Sequence, residues 1–253
     1  MELSLSGRNA LVTGANGSLG HHFAVTLARA GADVAVTARR RDSLDDVANK
    51  IRALGRRVAA VALDVTDAAS VARAFDDAST ALGAIGVVVN NAGIAITKPL
   101  LDHTEDDWQR VIDVNLTGAW RVAQAAARHM VAQAKGGSIV NIASILGVRV
   151  ASQVPSYAAS KAALIQLTKA MALELARYRI RVNALAPGYI ETGINRDFFA
   201  SEAGQALVKR IPQRRIGTPD ELDGALLLLA SDAGSYMTGS VLTVDGGHVV
   251  NSL

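Results

Sequence analysis

Short Val- and Ala-rich segments alternate with longer segments of helical period along the 253 residues, and few architectures accept that rhythm. Strands covered on both faces read as near-continuous apolar runs, so the rhythm predicts a parallel sheet with helices on either side. Strands are expected near residues 9–13, 33–37, 58–63, 85–90, 138–143, 181–186 and 241–244. Helices are expected near residues 18–30, 43–54, 68–82, 105–134, 155–178 and 219–229. The fold class is therefore α/β, a doubly wound parallel seven-stranded sheet in a three-layer α/β/α stack. A chain of this length that is 50% hydrophobic can bury one large core, so residues 1–253 read as a single domain without a linker. Residues 188–218 break the rhythm and carry Tyr189, Phe198 and Phe199, and a segment of that length outside the sheet is expected to be a mobile substrate lid.

The first strand runs into Thr13, Gly14, Ala15, Asn16, Gly17, Ser18, Leu19 and Gly20, and then a helix begins. Glycines there let the backbone turn tightly and approach a pyrophosphate, whose charge the helix N-terminus stabilises. A plain strand-to-helix connection would also use such a turn, but its place after the first strand favours dinucleotide binding. The second strand ends in Thr37, Ala38, Arg39, Arg40 and Arg41, where an Asp or Glu would hold the ribose 2′-hydroxyl of NAD. Bases stand in place of that acid. Arginine offers a bidentate fork to phosphate, so Arg39 with Arg40 in support points to NADP(H), the alternative being a solvated charge run. Asp33 opens the strand and Asp42 falls at a helix cap, so neither suits the ribose. Asp64 and Val65 close the third strand, and Asn91, Ala92 and Gly93 follow Asn90 at the end of the fourth. Ligands of open parallel sheets sit beyond such carboxyl ends, although Asn, Asp and Gly also favour plain turns.

Chemistry concentrates between Ser144 and Lys161. Residues four apart share a helix face, so Tyr157 and Lys161 can present a phenol and an ammonium together. A cation held close favours the phenolate, and a tyrosine so placed can exchange protons with a carbonyl or alcohol nearer neutral pH. Ser144 follows the fifth strand, where it could equally cap a turn. Asn115 lies inside the long helical segment 105–134, where it could be exposed or could bend the helix around a water.

Other classes fit poorly. The formal charge is +3, Lys and Arg are scattered, and only 4% of residues are aromatic, so no nucleic-acid surface is expected. There is no cysteine, which excludes disulfides and thiolate chemistry. No apolar run reaches the ~18 residues of a membrane span, and the start of the chain does not resemble a signal segment, so a soluble cytoplasmic protein is expected. His21, His22, His103, His129 and His248 show no metal-ligand spacing, and no metal is expected.

In this order the motifs resemble the single-domain branch of the short-chain dehydrogenase/reductase family, over essentially the whole chain. They are the glycine turn, Asp64-Val65, Asn90-Asn91-Ala92-Gly93, Asn115, Ser144, Tyr157 to Lys161, Arg181-Val182-Asn183 leading to Pro187-Gly188, and Val244 to Gly247. The resemblance implies a Rossmann-type sheet and a ketone reductase or alcohol dehydrogenase using NADP. It implies that Tyr157 is the acid or base at the carbonyl oxygen and that Ser144 hydrogen-bonds the same oxygen. Lys161 would lower the Tyr157 pKa and hold the nicotinamide ribose, and Asn115 would support a water linking Lys161 to solvent. It also implies that Asn91 and Gly93 line the adenosine side, that Asp64 and Val65 flank adenine, and that Pro187, Gly188, Ile190 and Thr192 face the nicotinamide. One departure stands out: members of this branch usually carry glycines at positions 14, 18 and 20, whereas here Ser18 follows Gly17. That spacing resembles the longer, epimerase-type branch. The resemblance further implies a small-molecule carbonyl or alcohol substrate and a homotetramer built on the Ala- and Leu-rich helices 105–134 and 155–178. A 3-oxoacyl thioester reductase, a sugar or sugar-acid dehydrogenase and a non-catalytic dinucleotide-binding protein remain open.

Overall fold

The computed structural model describes residues 3–192 and 195–250. Seven strands, β1 Asn9–Thr13, β2 Asp33–Ala38, β3 Val58–Ala62, β4 Val87–Asn90, β5 Gly137–Ile142, β6 Ile180–Pro187 and β7 Val241–Val244, form one sheet in the order β3-β2-β1-β4-β5-β6-β7. All the pairings are parallel, as the apolar runs predict. β4 starts two residues later than expected because the Ile85 N–H donates to Nε2 of His129 (3.1 Å). Chain order reverses between β1 and β4, and the crevice at their carboxyl ends is where such sheets bind ligands.

The helices are α1 Ser18–Arg29, α2 Asp45–Ala53, α3 Ala68–Leu82, α4 Glu105–Ile112, α5 Ala119–Gln133, α6 Pro155–Leu175, α7 Arg196–Ala200, α8 Glu202–Val208 and α9 Asp223–Ala230. Alternate strand residues face opposite layers. Val12, Val34 and Val36 pack with Phe23 and Leu27 of α1 and with Leu226 and Leu229 of α9. Leu11, Ala35 and Val88 pack on the other face with Phe75 of α3 and with Val122 and Met130 of α5. Full burial of a side chain such as Phe23 or Leu27 contributes about 1.5–3 kcal/mol, so each face has enough apolar contact to fix the helices on the sheet.

Three expectations change. The helix expected over residues 105–134 is interrupted by a π-helical turn, Asp113–Gly118, between α4 and α5. A Cβ at Gly118 would lie 2.7 Å from a Val65 methyl, so glycine lets this turn pass against the end of β3. The helix expected over residues 219–229 opens with a 3-10 turn, Pro219–Leu222, before α9. Residues 188–218 contain the short helices α7 and α8 and are closed on themselves by an Ile190–Gly217 bridge, while residues 193 and 194 of the expected lid lie outside the described residues.

Candidate active site

A groove of about 1100 Å³ opens at the carboxyl ends of the strands. Its floor begins with the glycine turn. Gly14 adopts φ +65°, and a Cβ on Gly20 would lie 2.2 Å from the Gly14 carbonyl oxygen, so both positions require glycine. Gly17 differs, since a Cβ there would meet nothing closer than 3.5 Å. It is the N-cap of α1, and no side chain caps that helix. Ser18 therefore occupies the first helical position without obstructing the turn, which removes the steric significance of the departure from the usual spacing.

The turn is held from the neighbouring strand. The Thr13 hydroxyl accepts the N–H groups of Asn91 and Ala92, each at 2.9 Å, and Asn91 Nδ2 donates to the Thr13 carbonyl at 2.9 Å. Asn91 thus braces the glycine turn as well as lining the groove, and Thr13, which its place at the end of an apolar strand did not mark, is the hub of the contact. Further out, Arg39, Arg40, Asp64 and Val65 line the groove together. Burial acts to raise the Asp64 pKa, but hydrogen bonds from Thr66 and the charge of Arg39 hold it below the usual carboxylate value. Arg110 and Val114, one helical turn apart, close this end and were not singled out in the sequence.

At the other end the groove is lined by Gly93, Ser144, Tyr157, Lys161, Pro187 and Gly188. Lys161 is 3% exposed and its Nζ donates to the Ile142 carbonyl (2.7 Å) while lying 5.6 Å from the Tyr157 ring centroid. Burial lowers its pKa to about 8. Burial also raises the Tyr157 pKa, with the Ser144 hydroxyl beside it acting in the opposite direction. The lowering of the Tyr157 pKa that the resemblance implied is thus outweighed in the chain itself by desolvation. Ser144 does both things the sequence allowed: its Oγ accepts the Leu146 N–H (3.1 Å), capping a short 3-10 turn, and it stays next to the phenol.

Asn115 sits inside the π-helical turn and is 1% exposed. Its Nδ2 donates to the Ile94 carbonyl (2.9 Å) and the Ser160 hydroxyl (3.1 Å), and its Oδ1 accepts the Ile94 N–H (2.8 Å). Both side-chain donors are occupied, so a water held by the Asn115 side chain would have to donate to Oδ1. A Cβ on Gly93 would lie 3.4 Å from that oxygen and 3.6 Å from Lys161 Nζ, so the two polar atoms flank the same glycine. Beneath them runs a buried polar chain: Asn90 Nδ2 to Asn141 Oδ1 (3.2 Å), then Asn141 Nδ2 to the Thr168 hydroxyl (2.9 Å).

Two expected groove residues lie elsewhere. Ile190 packs into the core cluster around β1 and β2, and the Thr192 N–H is bonded to Oδ1 of Asn195 (2.8 Å) in a local turn. Folding also brings together a group that spacing did not predict, His22 with Asp220 and Asp223, outside the groove, where His22 Nε2 lies 2.7 Å from Asp223 Oδ1.

The residues suit a dinucleotide. The glycine turn leaves space where side chains would stand, the uncapped N-terminus of α1 offers N–H groups to a pyrophosphate, and Arg39 and Arg40 make no ion pair among the described residues. A family model described as enoyl-(acyl carrier protein) reductase matches residues 14–249. The chain is a short-chain dehydrogenase/reductase. It is similar to a 2-dehydro-3-deoxy-D-gluconate 5-dehydrogenase of Escherichia coli (strain K12), at 38% identity over 96% of each chain. It is also 38% identical to a 3-oxoacyl-[acyl-carrier-protein] reductase of Thermotoga maritima over 98% of this chain and 100% of that one. A crystal structure of a gluconate 5-dehydrogenase from Burkholderia cenocepacia J2315 in complex with NADP and tartrate superposes with a TM-score of 0.94 at 40% identity, covering 99% of this chain and 98% of that one. As a short-chain dehydrogenase/reductase this protein is an oxidoreductase, and none of its described helices is long and apolar enough to cross a membrane.

Proposed function

We propose that this protein is an NADP(H)-dependent carbonyl reductase, able to run in reverse as an alcohol dehydrogenase, with sugar acids as its substrate class. The observation that carries the reading is the Ser144 hydroxyl and Tyr157 phenol standing side by side over the buried Lys161 at the inner end of the groove. A bound nicotinamide supplies or accepts the hydride. Tyr157, kept protonated by burial, donates its proton to the ketone oxygen. Ser144 donates a second hydrogen bond to that oxygen, and the pair stabilises the charge that develops there. Lys161 holds the nicotinamide ribose, and its ammonium is the charge that favours the phenolate when an alcohol is oxidised. Asn115 positions Lys161 through the loop at Gly93 and Ile94.

Gly14, Asn16, Gly17, Ser18, Leu19 and Gly20 take the pyrophosphate, Arg39 and Arg40 the 2′-phosphate, Asp64 and Val65 the adenine side, and Asn91, Ala92 and Gly93 the riboses, with Pro187 and Gly188 against the nicotinamide. Relatives named for gluconate and deoxygluconate dehydrogenation support the substrate class, and the NADP complex of a 40% identical structure supports the cofactor. Residues 195–218 act as the lid over the substrate. Exposed Trp108, Trp120 and Leu173 on α4, α5 and α6 support a homotetramer with two-fold axes, for which light scattering should give four times the chain mass.

Initial rates with NADPH and NADH against keto-aldonates, 3-oxoacyl thioesters and aryl ketones test the reading. NADPH consumption with keto-aldonates well ahead of the other pairings is expected. Faster consumption of NADH overturns the role of Arg39 and Arg40, and turnover of the thioesters alone overturns the substrate class.

A further inference from the structure

Five residues after Ser144, three parts of the chain close on one arginine. Ser144 is followed by the 3-10 turn Ile145–Gly147 and then by Arg149, whose backbone N–H donates to the Ile145 carbonyl (2.9 Å). That turn folds the short stretch back on itself and so keeps Arg149 near Ser144 in the chain. The Arg149 guanidinium donates to the His248 carbonyl. The His248 ring packs on Tyr189 with centroids 5.5 Å apart, and Tyr189 follows the groove-lining Gly188. Tyr189 in turn meets Phe199 of α7 edge to face at 5.8 Å. The loop after β5, the segment after β6 and the C-terminal turn therefore meet around Arg149.

Two arginines, Arg149 and Arg210, face the single carboxylate of Asp245 at this junction, so its charge is only partly balanced by the chain. The carboxylate of Asp245 is used to fold the C-terminal turn, accepting the N–H groups of Gly247 (2.9 Å) and Val249 (2.6 Å). Arg149 makes no ion pair among the described residues, and Arg210 adds a second positive charge toward His248. His248 does not offset them: burial first, then Arg149 and Arg210, lower its pKa and keep the ring neutral. A guanidinium has five N–H donors, and one carbonyl leaves most of its fork unused.

We infer that Arg149 is a substrate-binding residue that takes the carboxylate of an aldonic or keto-aldonic acid whose hydroxyl or ketone lies at Ser144 and Tyr157. The inference rests on the carbonyl reductase reading and sharpens it to an anionic substrate. The His248 carbonyl fixes the guanidinium, so a carboxylate meets a preset fork rather than a free side chain. A keto acid brings a carboxylate for this cation together with a carbonyl for Ser144 and Tyr157, whereas a neutral ketone leaves the cation unpaired.

The test compares Arg149→Met and Arg149→Lys with wild type on 5-keto-D-gluconate and on L-sorbose, which carries a hydroxymethyl group in place of the carboxylate, with gluconate binding to the NADP-loaded protein measured by calorimetry. Arg149→Met should lower kcat/KM for the acid on the order of 10- to 100-fold, mainly through KM, and weaken gluconate binding to a similar extent. Its rate on L-sorbose should stay within about threefold, the size of an unpaired surface contribution. Arg149→Lys, which keeps the charge but not the fork, should recover part of the loss. An equal loss on both substrates means that Arg149 only ties down the C-terminal turn, and it overturns the inference, as does no loss at all. Should Arg149→Met fail to fold, the ratio of acid to neutral rates in Arg149→Lys decides, and an unchanged ratio overturns the inference. A wild type that reduces neutral ketones but not keto acids overturns it while leaving the reductase reading intact. Inactivity on every ketone overturns the reading and this inference with it.

Discussion

The glycine-turn wall of the groove and the segment that follows β6 are held in different ways. On the first, Thr13, Asn91 and Ala92 exchange hydrogen bonds between adjacent strands, and Gly14 and Gly20 pack backbone against backbone with no room for a methyl group. On the second, helices of 5 and 7 residues sit outside the sheet in a segment held to itself by a bridge between Ile190 and Gly217 and by aromatic contacts among Tyr189, Phe198 and Phe199. Helices that short are marginal on their own, so their position depends on what they pack against. A cofactor common to a family calls for a wall that does not vary. A substrate that differs between relatives calls for one that can be rebuilt without disturbing the sheet.

Substitutions can break or sharpen this contrast. The largest effect is expected where the two walls meet: Tyr157→Phe should reduce kcat by roughly 100- to 10,000-fold while NADPH binding, followed by fluorescence titration, stays within a few-fold of wild type. A variant with undiminished turnover would remove Tyr157 from the proton transfer. Next, Gly20→Ala should destabilise the glycine turn by roughly 1–3 kcal/mol and abolish tight NADPH binding, because the backbone oxygen it meets cannot give way. Gly17→Ala should leave both nearly unchanged. Equal effects of the two would mean that the wall is not held by close packing.

Lys161→Met probes the cost of the buried cation. The folded-state pKa of Lys161 is about 8, below its ordinary value of 10.5, so the unfolded chain binds more protons between those values and the stability penalty is fully present below pH 8. It is relieved as pH rises from about 8 toward 10.5. The variant should therefore melt above wild type at pH 7, by an amount that shrinks at pH 9.5, in paired thermal scans. A constant difference would mean that Lys161 titrates as it does in water. The smallest effect is expected on the second wall. Phe199→Leu should raise the KM for the carbonyl substrate a few-fold and leave NADPH affinity alone. A matching loss of NADPH affinity would show that the two walls are coupled.

Much of this was legible in the residues. Apolar runs such as those around Val34 and Val88 have one stable solution, so the strands and their layers followed from pattern. Gly14, Asn91 and Ser144 were legible as expectations from their types at strand ends, and Tyr157 with Lys161 from their spacing one turn apart on a helix. What escaped depends on contacts between distant segments. Thr13 looks like a strand residue until Asn91 is laid beside it, and Arg149 looks like a loop cation until the C-terminal turn arrives. Ile190 and Thr192 follow Pro187 and Gly188 in sequence, yet Ile190 is drawn into the core and Thr192 into its turn with Asn195. The raised pKa of Tyr157 is also invisible to spacing, which places a cation nearby but not the desolvation that outweighs it.

The π-helical turn at Asp113–Gly118 separates the demands of the site from those of the core. It carries one residue more than an α-helical path would, and that surplus turns Asn115 inward while leaving α5 in phase with the sheet. Deleting a single residue from it would close the turn into a continuous α-helix and swing Asn115 out of its pocket by about 100° about the helix axis. Val122, Ala126 and Met130 would keep their places on the sheet, so the surplus residue serves the site and not the core.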